Sequence, residues 1–241
     1  MIGTNLARLL GAAFVTSAAL LSAPVPFASA QPPPPAPGCP DVEVVFARGT
    51  SEPPGVGGVG QAFVDSVRAQ AAPKSVNVYP VNYVASSDFG NRIEFARTVV
   101  DGVRDAGLHV EATAANCPNT KIVLGGFSQG AALAGYVTAA EIPEGVPAEY
   151  REFIPNPMPS EVADHVAAVV LIGQPSPEFM RSVEAPPVII GPSYTAKTLK
   201  VCAPADTICN GAPAGAPSFE HALYGVNGMA AEAAAYAVGR L

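Results

Sequence analysis

Ser128 is the residue of this chain best placed to do chemistry. It stands in the run KIVLGGFSQG, residues 121–130, two positions after Gly126 and two before Gly130. A serine in G-x-S-x-G can occupy a sharp strand-to-helix turn, because the flanking glycines lack the Cβ that would stop the chain closing on itself. Its hydroxyl would then project above a sheet edge. The alanine-rich segment after it, residues 129–140, reads as a helix whose N-terminus aims partial positive charge at the reacting centre. That geometry suits an anionic tetrahedral intermediate. A hydroxyl is a poor nucleophile at neutral pH, so it needs a base to take its proton and an acid to fix the base's tautomer.

Three histidines are available as that base. His109 precedes Ser128, near the end of an amphipathic helix, where a surface or half-buried role is expected. His165 stands beside Asp164 just before a strand and reads as structural. His221 lies in SFEHALYG, a loop ahead of the last helix, and follows Asp206 in the chain. Serine, then aspartate, then histidine is the order used by α/β-hydrolases. Asp206 itself could be an ordinary turn aspartate beside a proline. It sits in CAPADTIC, however, between Cys202 and Cys209, where a small ring would hold a carboxylate that a free loop would let wander. Glu220 is the weaker candidate, since side chains adjacent in sequence need not face each other.

The four cysteines are Cys39, Cys117, Cys202 and Cys209. They read as two disulfides, which implies an oxidising compartment. Zinc is not expected, because there is no C-x-x-C pair. Of the three possible pairings, Cys39 with Cys117 and Cys202 with Cys209 is favoured. On the chain-entropy account the short ring contributes about 2.5 kcal/mol and the long one about 4.5 kcal/mol.

The elements that must position these groups alternate between strand and helix. Strands are expected at 42–47, 76–82, around 122–124 ahead of the serine, 166–172 and 198–202; helices are expected at 61–71, 91–106 with Asn91 as N-cap, 129–140 and 229–238. This is an α/β pattern with a central five-stranded parallel sheet flanked by helices. In such sheets function gathers at the carboxyl ends of the strands, where Arg48 to Thr50, Ser128 and Asp206 all fall. Gly55, Gly57 and Gly60 mimic a dinucleotide fingerprint, but they lie too far past the first strand, and no acidic residue ends the next one to hold a ribose. Residues 141–164 are rich in proline and read as a surface excursion.

Residues 1–30 read as an export leader, with Arg8, an apolar run at 9–21 and Ala28-Ser29-Ala30 ahead of a cleavage point. The run is shorter than the roughly 20 residues a membrane span needs. Residues 31–38 follow as a proline-rich tether, and 39–241 as a single catalytic domain. The formal net charge of −7 argues against nucleic acid as a partner. A secreted protein acting as a monomer without a stable membrane span is expected, with cell-wall association as a further expectation.

At these residues the chain resembles the cutinase family of secreted serine esterases. FARGTSE after the first strand, GGFSQGA at the serine, CAPADTIC and HALYG are the matching pieces, and a cysteine before the first strand and another before the serine's strand also fit. The resemblance implies a minimal α/β-hydrolase with catalysis by Ser128, Asp206 and His221, and with disulfides Cys39–Cys117 and Cys202–Cys209. It also implies an oxyanion hole at Gln129 and Thr50, where the family often has serine in place of Thr50. No metal or cofactor is implied. The segment 143–164 resembles the mycobacterial branch.

The implied substrate is a carboxylic ester with a short to medium acyl chain, such as a cutin or lipid ester. Phe179, Met180, Val188, Ile189, Ile190 and Leu223 could wall an acyl groove or belong to ordinary core. An acyltransferase using the same acyl-enzyme, and a catalytically idle secreted binding protein, are the alternatives.

Overall fold

A computed structural model of the 241-residue chain describes residues 38–212 and 216–241. The leader expected at 1–30, and all of the expected tether except Gly38, lie outside the described residues. Strands β1 (Val42–Ala47), β2 (Val76–Pro80), β3 (Lys121–Phe127), β4 (Val166–Ile172) and β5 (Thr198–Val201) form one parallel sheet in the order β2-β1-β3-β4-β5. The expected five-stranded parallel sheet is present. Every residue of β1 is buried, its valines on both faces and Glu43 among them, as a central parallel strand requires.

One face carries α1 (Gly57–Ala71) and α6 (Met229–Val238), packed on Val44, Phe46, Val123 and Val170. The other face carries α2 (Arg92–Asn116) and α3 (Gln129–Val137), packed on Val45, Leu124, Val169 and Leu171. Short helices α4 (Pro177–Ser182) and α5 (Pro192–Thr195) link β4 to β5. The proline-rich excursion holds two 3-10 helices, Ala148–Phe153 and Ser160–His165.

Five expectations need correcting at their ends: β2 stops at Pro80 rather than at 82 and β5 at Val201 rather than at 202, and three helices differ as well. Helix α2 begins where its Asn91 cap directs it, with the Asn91 side chain accepting from the Glu94 N–H, but it runs on to Asn116 rather than ending near Ala106. Its buried stripe, Thr98, Gly102, Ala106, Val110 and Ala114, keeps a four-residue spacing well past Ala106. His109 is therefore inside the helix and not near its end. Helix α3 stops at Val137 instead of Ala140, where Thr138 turns its hydroxyl back onto the Gly135 carbonyl. Helix α1 starts at Gly57, four residues before the expected Gln61.

The early start of α1 explains the dinucleotide-like glycines. Glu52 accepts from the N–H groups of Gly58 at 2.7 Å and Gly49 at 2.6 Å. A carboxylate of the chain itself thus occupies the helix N-terminus where a phosphate would otherwise bind.

Candidate active site

Strand order decides where a site can form. Strand β1 pairs with β2 on one side and β3 on the other, so the chain leaving β1 and the chain leaving β3 diverge to opposite sides and open a crevice at their carboxyl ends. Ala47 is paired with Gly126 across that point. Thr50 and Ser128 follow within a few residues.

Ser128 adopts φ 54° and ψ −120°, a conformation that residues with a side chain rarely take. It is held there by its N–H, which donates to the Ile172 carbonyl at 2.9 Å, and by the turn that follows. The two motif glycines are required by close approach. A Cβ on Gly126 would lie 2.1 Å from the Gly130 oxygen, and one on Gly130 would lie 2.1 Å from the Ala47 oxygen.

His221 Nε2 lies 2.8 Å from Ser128 Oγ, and His221 Nδ1 lies 2.7 Å from Asp206 Oδ2. A carboxylate can only accept, so Nδ1 carries the proton and Nε2 is left to take one from the serine. Asp206 is fully buried and His221 nearly so. Burial would raise the Asp206 carboxyl, but hydrogen bonds from His221, from Tyr224 and from the Ile208 N–H outweigh it and hold the group below the ordinary aspartate range. The ring of Phe127 stands 4.9 Å from the imidazole.

Two disulfides form, Cys39–Cys117 and Cys202–Cys209. The second closes the ring that carries Asp206. Cys209 Sγ comes within 3.1 Å of Asp206 Oδ2, but with both sulfurs joined to each other the thiolates a zinc site would need are gone. Glu220 is half-buried on the same 3-10 turn as His221, Phe219–Ala222, and does not bond to it. His165 ends the 3-10 helix ahead of β4, at the opposite end of the sheet.

Gln129 is the first residue of α3, so its N–H has no intrahelical acceptor. Its buried side chain donates through Nε2 to the Ser86 carbonyl at 3.0 Å and ties the loop after β2 to the serine turn. Thr50 sits in the turn after β1. Beneath it the buried Arg48 pins that turn, donating through Nε to the Glu52 carbonyl at 2.8 Å and through a second nitrogen to the Tyr83 carbonyl at 2.5 Å. Tyr83 returns a hydrogen bond to the Arg48 carbonyl.

The six apolar candidates separate. Phe179 is half-buried and Met180 buried on α4, while Val188 and Ile190 lie against Gly135 of α3, with Ile190 packed into the core of that face. Ile189 is 61% exposed, and Leu223 is half-buried two residues after His221.

Tyr224 escaped the sequence reading, although it stands inside HALYG. Its hydroxyl donates to Asp206 Oδ2 at 2.6 Å and accepts from the Ala203 N–H at 2.9 Å. A large buried tyrosine must find such a partner for its hydroxyl, and that rule was the available signal.

A profile of the cutinase family matches residues 38–241. The chain belongs to the cutinase family. It is 41% identical over 243 aligned residues to carboxylesterase Culp1 of Mycobacterium tuberculosis, an alignment spanning 100% of this chain and 98% of that one. It is also 41% identical over 206 residues to phospholipase Culp4 of the same organism, covering 86% of this chain and 80% of the relative. Among solved structures, the Trichoderma reesei cutinase in complex with a phosphonate inhibitor superposes with a TM-score of 0.59 at 28% identity, covering 83% of this chain and 76% of the other. The cutinase-family sheet order and strand-end crevice described above are those of an α/β-hydrolase. Among the described residues, no helix of this family member is long and apolar enough to cross a membrane.

Proposed function

We propose that this cutinase-family member is a secreted carboxylic ester hydrolase that works through an acyl-enzyme on Ser128. The observation that carries the reading is the unbroken relay from Ser128 Oγ to His221 Nε2 at 2.8 Å and from His221 Nδ1 to Asp206 Oδ2 at 2.7 Å. Ser128 Oγ attacks the ester carbonyl carbon as His221 Nε2 takes its proton. The tetrahedral oxyanion is held by the N–H groups of Gln129 and Thr50, each such donor contributing roughly 100- to 1000-fold in rate. Collapse breaks the carbon–oxygen bond to the alcohol, which leaves with the proton from Nε2. Water then attacks the acyl-enzyme, gives a proton to the same nitrogen, and releases the acid while Ser128 regains its hydrogen. Asp206, held ionised by its three donors, keeps the imidazole in the working tautomer.

Short to medium acyl chains are the proposed substrates. Half-buried Leu223, two residues after His221, and half-buried Phe179 on α4 support an apolar acyl contact; Met180, Val188, Ile189 and Ile190 stay candidates for the same contact. The apolar run at 9–21 and the paired cysteines support export, with 39–241 as the catalytic domain.

A fluorophosphonate probe is expected to label Ser128 of the wild type and not Ser128→Ala. Hydrolysis of a series of p-nitrophenyl esters should fall by roughly 10⁶-fold in kcat in that variant, the size of a nucleophile's removal from a serine hydrolase triad. Retained turnover in folded Ser128→Ala would assign the chemistry elsewhere.

A further inference from the structure

The phenol of Tyr224 touches the relay without a part in the steps above. We propose that Tyr224 is a positioning residue of the esterase reaction, clamping Asp206 Oδ2 and, through it, tempering the basicity of His221. The inference rests on the triad reading of the preceding section.

Three observations carry it. First, Tyr224 is fully buried, and its ring meets Phe127 and His221 edge-on, with centroids 5.9 and 6.3 Å away, which confines the hydroxyl to Asp206 Oδ2, the Ala203 N–H and, at 3.4 Å, Cys209 Sγ. Second, that oxygen accepts from the Ala203 N–H, next to the Cys202–Cys209 bridge, so its own hydrogen is directed at the carboxylate. Third, the bond ends on Oδ2, the same oxygen that accepts from His221 Nδ1, while Oδ1 takes the Ile208 N–H.

The consequence is electrostatic as well as geometric. Negative charge on Oδ2 that is shared with a phenol donor is less available to an imidazolium, so the charged form of His221 is stabilised less than it would be by a carboxylate with one donor fewer. The clamp also fixes rotation of the carboxylate, and with it the direction in which Nε2 faces Ser128. Among the described residues, the other groups packed around this cluster carry no charge: Phe127, Gly173, Ala203, Ile208 and the disulfide. Glu220, preceding His221, and Lys200, on β5, are the nearest charges along the chain, and among the described residues neither bonds to Asp206, His221 or Tyr224.

The test compares wild type with Tyr224→Phe, which keeps the ring and removes the hydroxyl. With a soluble p-nitrophenyl ester, kcat is expected to fall about tenfold with KM unchanged, the effect of one lost charge-assisted hydrogen bond. The acid limb of kcat/KM should move up by about half a pH unit, and the downfield proton resonance of His221 Nδ1–H should shift. A folded Phe variant with the wild-type acid limb and resonance overturns the proposal and leaves Tyr224 as packing alone. Should Tyr224→Phe fail to fold by circular dichroism, 3-fluorotyrosine at position 224, a stronger donor, is expected to move the limb to lower pH; an unmoved limb there also overturns it. Failure of wild-type Ser128 to react with a fluorophosphonate overturns the triad reading itself, a result distinct from a labelled, active wild type beside an unaffected Phe variant.

Discussion

The molecule holds two histidine–carboxylate pairs, His221 with Asp206 at 2.7 Å and His109 with Glu43 at 2.9 Å. In both the carboxylate is buried. They differ in what the second ring nitrogen and the surrounding backbone offer. His221 meets Asp206 through Nδ1 and turns Nε2 to a serine on a strained turn, with helix N–H groups beside it. His109 gives Nε2 to Glu43, whose other oxygen accepts from Asn77, and lays its ring flat on Tyr79 at a centroid distance of 3.5 Å. Glu43 lies near the amino end of β1, whereas Asp206 lies beyond the carboxyl end of β5. At amino ends the chain arrives already committed to the ladder; at carboxyl ends, and above all at the β1/β3 divergence, loops leave a crevice in which polar groups can face a substrate. An imidazole–carboxylate bond is thus a structural cross-link at one end and, in the proposed mechanism, the base of a relay at the other.

Neutralising each carboxylate separates the two roles by the largest margin. Asp206→Asn is expected to lower kcat by roughly 10⁴-fold, because an amide at that position can no longer hold the working tautomer. Glu43→Gln should leave kcat within about twofold, since nothing bonded to it touches the reacting atoms. The same substitution has a pH signature. The folded Asp206 carboxyl titrates below its ordinary value, so its contribution to stability is fully present above the unfolded value of about 3.9 and is lost as pH falls through the lower folded value. Urea unfolding of the wild type should weaken across that acidic window, and Asp206→Asn should lack that part of the slope. An equal kcat for wild type and Asp206→Asn would remove the distinction between the pairs.

How much of this could be read in advance follows the same division. Strand β1 is apolar but for Glu43, β4 is a continuous apolar run and helix α6 is alanine-rich, so local pattern located their ends. Helix α2 runs past the expected end near Ala106 because the stripe from Ala106 to Val110 and Ala114 is stabilised by tertiary packing that a local reading does not weigh. Ser128, Asp206 and His221 are chemically conspicuous and lie in distinctive short motifs. Tyr224, Arg48 and Ser86 act through a buried hydroxyl, a guanidinium on carbonyl oxygens, and a backbone carbonyl. Residue types such as these bond backbone or buried groups in many settings, so their presence in FARGTSE or HALYG does not by itself name the partner.

The disulfides give a middle-sized contrast between the same two ends. Cys39–Cys117 ties the segment before β1 to the end of α2, whereas Cys202–Cys209 closes the loop around Asp206. Replacing the first pair by serine should lower unfolding stability by about 4.5 kcal/mol, and the second by about 2.5 kcal/mol, if chain entropy governs both. Activity at a temperature where both variants are folded should rank them the other way, because only the second loop positions a relay member. Denaturant unfolding beside kcat measures both, and an equal loss of kcat in the two variants would mean that the ring does not restrain Asp206.

The smallest expected effect isolates the structural pair. His109→Ala leaves Glu43, 3% exposed, with Asn77 as its remaining side-chain partner and removes the ring stacked on Tyr79. A buried acceptor deprived of one donor costs about 1–3 kcal/mol, so the melting temperature should fall by a few degrees, at roughly 2–4 °C per kcal/mol for a domain of this size. His109→Gln can still offer an N–H toward Glu43 and should recover part of the loss. Neither variant should change kcat or its pH dependence, because the bonds of His109 end on β1 and β2 and do not reach the loops that carry Ser128, Asp206 and His221. A parallel fall of kcat and melting temperature across Ala and Gln would instead mean that the amino end of the sheet is coupled to the crevice through β1, whose carboxyl end leads directly into Arg48 and Thr50.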